Sequence, residues 1–301
     1  MKKILIIAGP TASGKSDIAV DLALKFGGEI ISCDSMQIYK GLDIGTAKIS
    51  TEEMRGVKHY MTDVADPDEE FSVWEYANAA KAAIEDISSR GKLPILAGGT
   101  GLYIESVIYP LNFAVNKDET VRARLMKELE EYGAEALHAR LEKADPEDAA
   151  KIHPNNTKRL VRALEILELS GGVKPKNELT APQYDVCLIA LDVAREKLYD
   201  RIDKRVERMF NSGLEKEIRN VLENGLCDKH SQSMQAIGYK EFFDYFDGKI
   251  SLDDVKALIK TNTRHYAKRQ ISWLRRYKFA HWIDPDDKEK ITDTVIRFLR
   301  G

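Results

Sequence analysis

The residues with the clearest chemistry form a loop near the amino terminus. Gly9-Pro10-Thr11-Ala12-Ser13-Gly14-Lys15-Ser16 matches the pattern G-x-x-x-x-G-K-[ST] and directly follows the apolar run Ile4–Ala8. Between a strand and a helix, such a loop turns backbone N–H groups toward an anion, Lys15 adds a positive charge, and the Ser16 hydroxyl can ligate Mg²⁺. The loop therefore predicts phosphate binding with Mg²⁺, but it does not say which phosphate is bound.

A carboxylate follows the second predicted strand. Asp34 comes directly after the run Glu29–Cys33. In an open parallel sheet, ligands bind at the carboxyl ends of the strands, so we expect Asp34 to face the same crevice as the phosphate loop. Three roles remain open at this point: a Mg²⁺ ligand through water, a general base, or the N-cap of a helix.

A third loop, Gly98-Gly99-Thr100-Gly101, follows the predicted strand Leu93–Ala97 and leads into a helix. Its glycines would let a substrate approach the backbone closely, and the Thr100 hydroxyl can donate to a phosphate oxygen. The alternative is a tight strand-to-helix turn with Thr100 as its N-cap. Loops of this kind at three strand ends predict one shared site.

Positive charge is unevenly distributed along the chain. The net charge is −3 over 301 residues, yet residues 256 to 282 contain no acidic side chain. In that window Lys256, Lys260, Arg264 and Lys268 recur at intervals of four, which predicts a positive stripe on a helix. Each basic segment alone is typical of a solvated helix face, but together they indicate a polyanion larger than a nucleotide. The other basic residues in question are Arg122, Arg124, Lys158, Arg159, Arg162, Arg201, Lys204, Arg205, Arg208, Arg269, Arg275, Arg276 and Lys278.

The elements that must position these residues fall into two groups. Short apolar runs alternating with helical patterns predict an α/β fold, a P-loop core of nucleotide-kinase type whose parallel sheet carries helices on both faces. Residues 115–183 show no β-like run, and the apolar run Val186–Leu191 then returns to the core. We predict a core domain of residues 1–114 and 184–301, interrupted by an all-helical insertion domain at 115–183. The predicted helices are Ser13–Phe26, Ser72–Arg90, Glu119–Glu131, Asn155–Leu169, Arg195–Met209, Leu214–Glu223, Leu252–Leu274 and one from Asp287, and a further strand is predicted at His281–Ile283.

Composition narrows the class of protein. The chain is 43% hydrophobic and 32% charged, and no segment approaches transmembrane length. Its three cysteines lack C-x-x-C spacing, which disfavours a zinc site and a disulfide framework and predicts a reducing cytoplasm. We find no Asp-x-x-Gly switch, adenine-recognition motif or Arg-rich lid, so the phosphate loop needs only to hold a diphosphate.

With these residues assembled, the sequence resembles the bacterial tRNA dimethylallyltransferases over essentially its whole length. The resemblance implies transfer of a dimethylallyl group from dimethylallyl diphosphate to N6 of the adenosine just 3′ of the tRNA anticodon, position 37, with release of pyrophosphate. It implies Mg²⁺ as cofactor, and we expect a cytoplasmic monomer with no membrane partner. The segments that carry it are Gly9–Ser16, Asp34–Tyr39, Gly41–Lys48, Gly98–Tyr103, Lys158–Glu165, Tyr266–Gln270 and Trp273–Arg275.

The resemblance also implies roles for individual residues. The loop Gly9–Ser16 would hold the diphosphate with Mg²⁺ at Ser16, and Arg122 would close over it. Asp34 would be the general base, and Thr100 would hydrogen-bond near the reacting centre. The target adenosine must leave its stack to be reached. The implied tRNA contacts are Asp34, Ser35, Met36 and Gln37, with Gln37 reading the base edge, and Lys158, Arg159, Leu160, Val161 and Arg162; Lys158 stands where many relatives carry Gln.

Two alternatives remain open from the sequence. The first is a small-molecule enzyme, either an adenylate isopentenyltransferase or a P-loop nucleotide kinase; neither requires the helical insertion or the acid-free basic window. The second is a non-catalytic RNA-binding P-loop protein, which would leave Asp34 and Thr100 without a role.

Overall fold

The computed structural model describes residues 1–110, 118–171 and 181–301. The strands within these ranges are β1 Lys3–Ala8, β2 Gly28–Cys33, β3 His59–Tyr60, β4 Leu93–Gly98, β5 Asp185–Leu191 and β6 His281–Ile283. They pair in parallel in the order β3-β2-β4-β1-β5-β6. The two-residue strand β3 was not predicted, because it is too short to show an alternating pattern.

Helices cover the sheet and continue beyond it. They are α1 Lys15–Phe26, α2 Thr51–Met54, α3 Val73–Ser89, α4 Gly101–Ile108, α5 Glu119–Ala144, α6 Pro146–Ala149, α7 Thr157–Leu169, α8 Arg195–Asn211, α9 Leu214–Glu223, α10 Phe242–Phe246, α11 Leu252–Leu274 and α12 Lys288–Arg300, with a short 3₁₀ helix at Gln232–Gln235. Helix α3 begins with a capping box: the Ser72 hydroxyl accepts the Glu75 N–H, and the Glu75 carboxylate accepts the Ser72 N–H.

Alternation along β1 explains why both faces of the sheet are buried. Leu5 and Ile7 pack in one cluster with α1 and α12. Ile4 and Ile6 point to the other face, are fully buried, and lie on the side where α3 contacts β2 and β4. The predicted fold class, a parallel P-loop sheet with helices on both faces, is confirmed.

The chain divides into two compact units, Met1–Pro110 with Ala181–Gly301, and Leu111–Thr180. The predicted division was 1–114 with 184–301, and 115–183; its first boundary lies outside the described residues. The described part of the second unit consists of α5, α6 and α7 around a buried core that includes Leu125, Leu141 and Leu160. Helix α5 runs past its predicted end at Glu131 to Ala144, with a break in helical geometry at Gly133.

Candidate functional site

The register of the sheet places three loops side by side. Ala8 at the end of β1 pairs with Gly98 at the end of β4, and Gly98 also pairs with Cys33 at the end of β2. The phosphate loop, the Asp34 segment and the Thr100 loop therefore start from one line across neighbouring strands. This register brings the starts of the three loops together, as a shared crevice requires.

The phosphate loop is closed around its own backbone. Lys15 Nζ donates to the Pro10 carbonyl oxygen at 2.9 Å, and the buried Ser13 hydroxyl has no hydrogen-bond partner among the described residues. Gly14, with φ of 89°, occupies the left-handed region and lets the chain turn directly into α1. The amino-terminal end of α1 and the Lys15 side chain therefore line the same groove.

Helix α8 lines the opposite wall of that groove with positive charge. Arg201, Arg205 and Arg208 are spaced four and three residues apart and share one face of the helix. Arg201 donates to the Ser13 carbonyl at 3.4 Å. The groove has a volume of about 760 Å³, which is ample for a diphosphate.

Electrostatics in the groove favour an added anion. The pKa of Lys15 is lowered to about 8 by desolvation and by the charge of Arg205, against the opposing charge of the Asp34 carboxylate. Desolvation also lowers the pKa of Arg205, against the charge of Asp34 and together with that of Arg208. Crowded, desolvated cations are relieved when a multivalent anion binds between them.

Asp34 and Thr100 are held by backbone groups of the same segment. Asp34 Oδ1 accepts the N–H of Met36 at 2.9 Å and of Gln37 at 3.4 Å, so it forms a turn rather than a helix N-cap. Thr100 stands at the N-cap position of α4, but its hydroxyl does not cap the helix. Instead, Thr100 Oγ1 accepts the Ser35 N–H at 3.2 Å, which ties the Thr100 loop to the Asp34 segment.

A second, smaller cavity of about 270 Å³ lies beside Asp34. Its polar lining includes Asp34, Arg205 and Tyr266. Its apolar lining consists of Met36, Val206, Met209, Ala236, Ile237 and Ile259. Because Arg205 lines both the groove and this cavity, an anion site and a partly apolar site are neighbours.

The side-chain amide of Gln37 is hydrogen-bonded to other groups of this chain. Its Nε2 donates to the carbonyl oxygens of Thr46 and Ala47, each at 3.3 Å, and its Oε1 accepts the Ser32 hydroxyl at 3.2 Å. Reading a base edge would require exchange of these bonds. Ser35 and Met36, in contrast, line the cavity directly.

Most of the predicted positive stripe on α11 is neutralised by ion pairs with α8. Glu207 of α8 binds Lys256 at 3.0 Å and Lys260 at 2.7 Å. Asp203, one turn earlier on α8, binds Arg264 at 2.6 Å. One face of α8 therefore carries acids that neutralise the lysines and arginine of α11, and the other face carries the arginines that line the groove. Lys268, Arg269, Arg275 and Lys278 remain exposed.

The basic segment of the insertion is also divided by the fold. Lys158 and Arg159 are exposed, whereas Leu160 and Val161 are 0% and 2% exposed and form part of the insertion core. The side chains of Leu160 and Val161 lie on the inner face of α7, and the predicted RNA contact of this segment stays a prediction. Arg162 forms an ion pair with the buried Glu165 at 2.9 Å.

Two further arginines of the insertion differ in their surroundings. Arg124 is held in a ring of ion pairs with Glu128, Glu168 and Arg140. Arg122 lies on α5, half-buried, and its predicted contact with the diphosphate stays a prediction.

The residues present fit a Mg²⁺ that arrives with the phosphate. Ser16 is exposed in the first turn of α1. Over residues 1–110, 118–171 and 181–301, no cluster of three or more His, Cys, Asp or Glu side chains could hold a metal ion. Mg²⁺ commonly keeps waters and takes phosphate oxygens from its substrate, and its predicted contact with Ser16 stays a prediction.

Two residues of α11, Tyr266 and Gln270, stand in the sequence only as members of a longer motif, with no separate signal of a role. Tyr266 lines the cavity, and desolvation with the nearby Asp34 charge raises the pKa of its hydroxyl to about 12. Gln270, one turn later, is 5% exposed. The available signal was polar side chains on the buried face of a helix.

None of the helices in the described ranges is long and apolar enough to span a bilayer.

Comparison with known proteins identifies the family. A family model described as IPP transferase matches residues 37–277. The chain belongs to this family. A tRNA dimethylallyltransferase of Geobacillus thermodenitrificans is 48% identical, and the match covers 100% of this chain and 97% of that protein.

Solved structures of family members have the same fold. The tRNA isopentenylpyrophosphate transferase of Bacillus halodurans is 42% identical with a TM-score of 0.75, covering 99% of this chain and 97% of that one. A eukaryotic dimethylallyltransferase acting on tRNA is 34% identical with a TM-score of 0.78, covering 91% of this chain and 70% of that one.

Proposed function

We propose that this protein transfers a dimethylallyl group from dimethylallyl diphosphate to N6 of the adenosine at position 37 of tRNA. The observation that carries the proposal is the cationic groove beside a partly apolar cavity, with Arg205 lining both and Asp34 lining the cavity. A donor that joins a diphosphate to a short apolar tail matches these two environments. Family membership supports the same reaction, because the similar proteins described above are named for it.

The groove would take the leaving group. In the transfer, a bond forms between N6 and C1 of the dimethylallyl group while the bond from C1 to the diphosphate oxygen breaks. Negative charge then grows on the departing pyrophosphate. Backbone N–H groups at the start of α1, with Lys15 and Arg205, would offset that charge. We propose that Arg122 of the insertion adds to this group.

Asp34 would take the proton that N6 loses. An exocyclic amine is a poor nucleophile, so it must be aligned and then deprotonated as it attacks. The Asp34 turn leaves Oδ2 without a hydrogen bond from the described residues, while Oδ1 fixes the orientation of the carboxylate. Thr100 accepts the Ser35 N–H, and its hydroxyl faces that of Tyr266, so donation to a substrate would exchange the contact with Tyr266.

Mg²⁺ is proposed as the cofactor, held by the Ser16 hydroxyl and by oxygens of the donor. When bound, it would further stabilise the negative charge of the pyrophosphate.

The RNA would be held by exposed basic side chains in both units. Those proposed to contact its phosphates are Lys158 and Arg159 of the insertion, and Lys268, Arg269, Arg275 and Lys278 of the other unit. The target adenosine would flip out of the anticodon loop to reach the cavity beside Asp34.

A competition assay tests this function. The protein is incubated with dimethylallyl diphosphate, Mg²⁺, an anticodon stem-loop carrying adenosine at position 37, and AMP at equal concentration. We expect prenyl transfer to the RNA and none to AMP, and no transfer to a matched stem-loop carrying guanosine at that position. Comparable kcat/KM for AMP would instead make the protein a small-molecule prenyltransferase, and no transfer to either acceptor would refute the proposal.

A further inference from the structure

A single buried amide joins two of the loops at the site. Gln270 on α11 accepts the Thr11 N–H through Oε1 at 2.8 Å and donates from Nε2 to the Gly99 carbonyl oxygen at 3.1 Å. Thr11 belongs to the phosphate loop, and Gly99 precedes Thr100. With 5% of its surface exposed, Gln270 lies between the loops rather than at their rim.

The fit of α11 against the Thr100 loop leaves no spare space. A Cβ atom on Gly99 would lie 2.1 Å from Gln270 Nε2, and one on Gly101 would lie 2.1 Å from the Trp273 ring. A side chain at Gly99 would displace the Gln270 amide, and one at Gly101 would displace the Trp273 ring. Side chains of α11 therefore pack directly against the backbone of the Thr100 loop.

The two loops that Gln270 joins serve opposite ends of the proposed reaction. The phosphate loop would hold the leaving diphosphate. The Thr100 loop fixes the Asp34 segment through the bond between Thr100 Oγ1 and the Ser35 N–H. Because Gln270 occupies the Thr11 N–H, that donor is not offered to the diphosphate; it is used to fix the loop.

We propose that Gln270 is a positioning residue that sets the separation between the diphosphate site and Asp34. The inference rests on the proposed prenyl transfer, and Gln270 acts through Thr11 and Gly99 rather than on the substrates. Transfer in line requires that the carbon between leaving oxygen and attacking nitrogen be placed closely, and a displacement of about 1 Å can cost roughly 100-fold in rate. Loss of the bridge should therefore reduce kcat more than it weakens binding.

Two variants separate this role from simple packing. Gln270→Met keeps similar volume but removes both hydrogen bonds and the contact of the amide with the Tyr266 hydroxyl. We expect kcat to fall by roughly 10- to 100-fold while donor KM changes by less than about threefold. Gln270→Glu keeps the acceptor for Thr11, and its carboxyl can donate to Gly99 only when protonated. Its kcat relative to that of the unsubstituted protein should rise as pH falls from 8.5 to 5.5, by up to about tenfold per unit.

A matched control is available elsewhere in the same unit. Gln232 makes the same pair of bonds with the Phe71 backbone, accepting the N–H at 3.2 Å and donating to the carbonyl oxygen at 3.1 Å, and lines neither the groove nor the cavity. Gln232→Glu should show a pH-independent kcat relative to the unsubstituted protein. Thermal unfolding of every variant is measured at each pH, so that rates are compared for folded protein only.

The outcomes are distinct. A kcat that recovers in acid for Gln270→Glu alone supports the positioning role. A ratio that stays flat with pH, a loss confined to KM, or a loss matched by Gln232→Glu would overturn it. If the unsubstituted protein fails to prenylate RNA, the proposed function is refuted instead, which the assay reveals before any variant is compared.

Discussion

Arg205 Nη2 donates to the carbonyl oxygen of Thr46 at 3.1 Å, which fixes the guanidinium where the groove and the cavity meet. Thr46 is itself positioned by its loop. Glu217 of α9 accepts three consecutive backbone N–H groups, those of Asp43 at 2.9 Å, Ile44 at 2.7 Å and Gly45 at 3.1 Å. A carboxylate on the far side of the loop therefore determines where a groove arginine lies.

We expect Glu217→Gln to weaken donor binding although Glu217 lines neither the groove nor the cavity. The amide can accept fewer of the three N–H groups, so the loop and Arg205 lose their fixed position. Donor KM should rise by several-fold, and the free energy of unfolding should fall by about 1–3 kcal/mol. Steady-state kinetics and denaturant unfolding measure the two effects. Glu215→Gln is the control, because Glu215 pairs with Arg219 on the same helix; an equal rise in KM there would contradict the assignment.

Diphosphate affinity should depend on pH through Lys15. In the free protein the pKa of Lys15 is lowered to about 8, and a bound anion favours the protonated form. Below pH 8 the lysine is already charged, so affinity is flat with respect to this group. Above pH 8 binding must take up a proton, and affinity should fall by up to about tenfold per unit.

Calorimetric titration with dimethylallyl diphosphate from pH 7 to 9.5 measures this dependence. Lys15→Arg is the control, since an arginine keeps its charge throughout the range and should flatten the slope even where affinity is lower. An unsubstituted protein whose affinity stays constant to pH 9.5 would show that Lys15 does not control binding.

Asp34→Asn should lower kcat by roughly 100-fold or more, the usual worth of a general base. The asparagine Oδ1 can still accept the N–H groups of Met36 and Gln37, so the turn should persist and RNA affinity should change little. Single-turnover rates and an RNA binding isotherm check both expectations. Asp66→Asn, at an exposed ion pair with Lys40, serves as the control. Full activity in Asp34→Asn would reduce Asp34 to a turn former.

RNA binding should distinguish the exposed basic residues from those already paired. Replacing Lys268 and Lys278 with Gln should weaken stem-loop binding and reduce the slope of log K against log salt by up to about 2. Replacing Lys256 and Lys260, which already pair with Glu207, should leave that slope unchanged. Binding isotherms at several salt concentrations decide the matter. A larger effect from the Lys256 and Lys260 pair would place the RNA on the other side of α11.

Much of the secondary structure of the core unit can be predicted from local sequence pattern. The run Ile4–Ala8, the loop Gly9–Ser16 and the helix after it follow from residue type and spacing over a few positions, and the capping box at Ser72 is equally local. The role of the basic residues was not accessible in this way. Whether Lys256 is paired depends on Glu207 in a different helix, and a charge window cannot show that.

By itself, the sequence determined that a phosphate loop, a carboxylate and a threonine follow parallel strands, because these are contiguous motifs with a fixed place at strand ends. The tertiary structure alone decided which cations face the groove and which are neutralised, that Leu160 and Val161 are buried, and that Gln270 joins Thr11 to Gly99. The reason is physical: hydrogen bonds and ion pairs between residues far apart in the chain exist only once the helices pack.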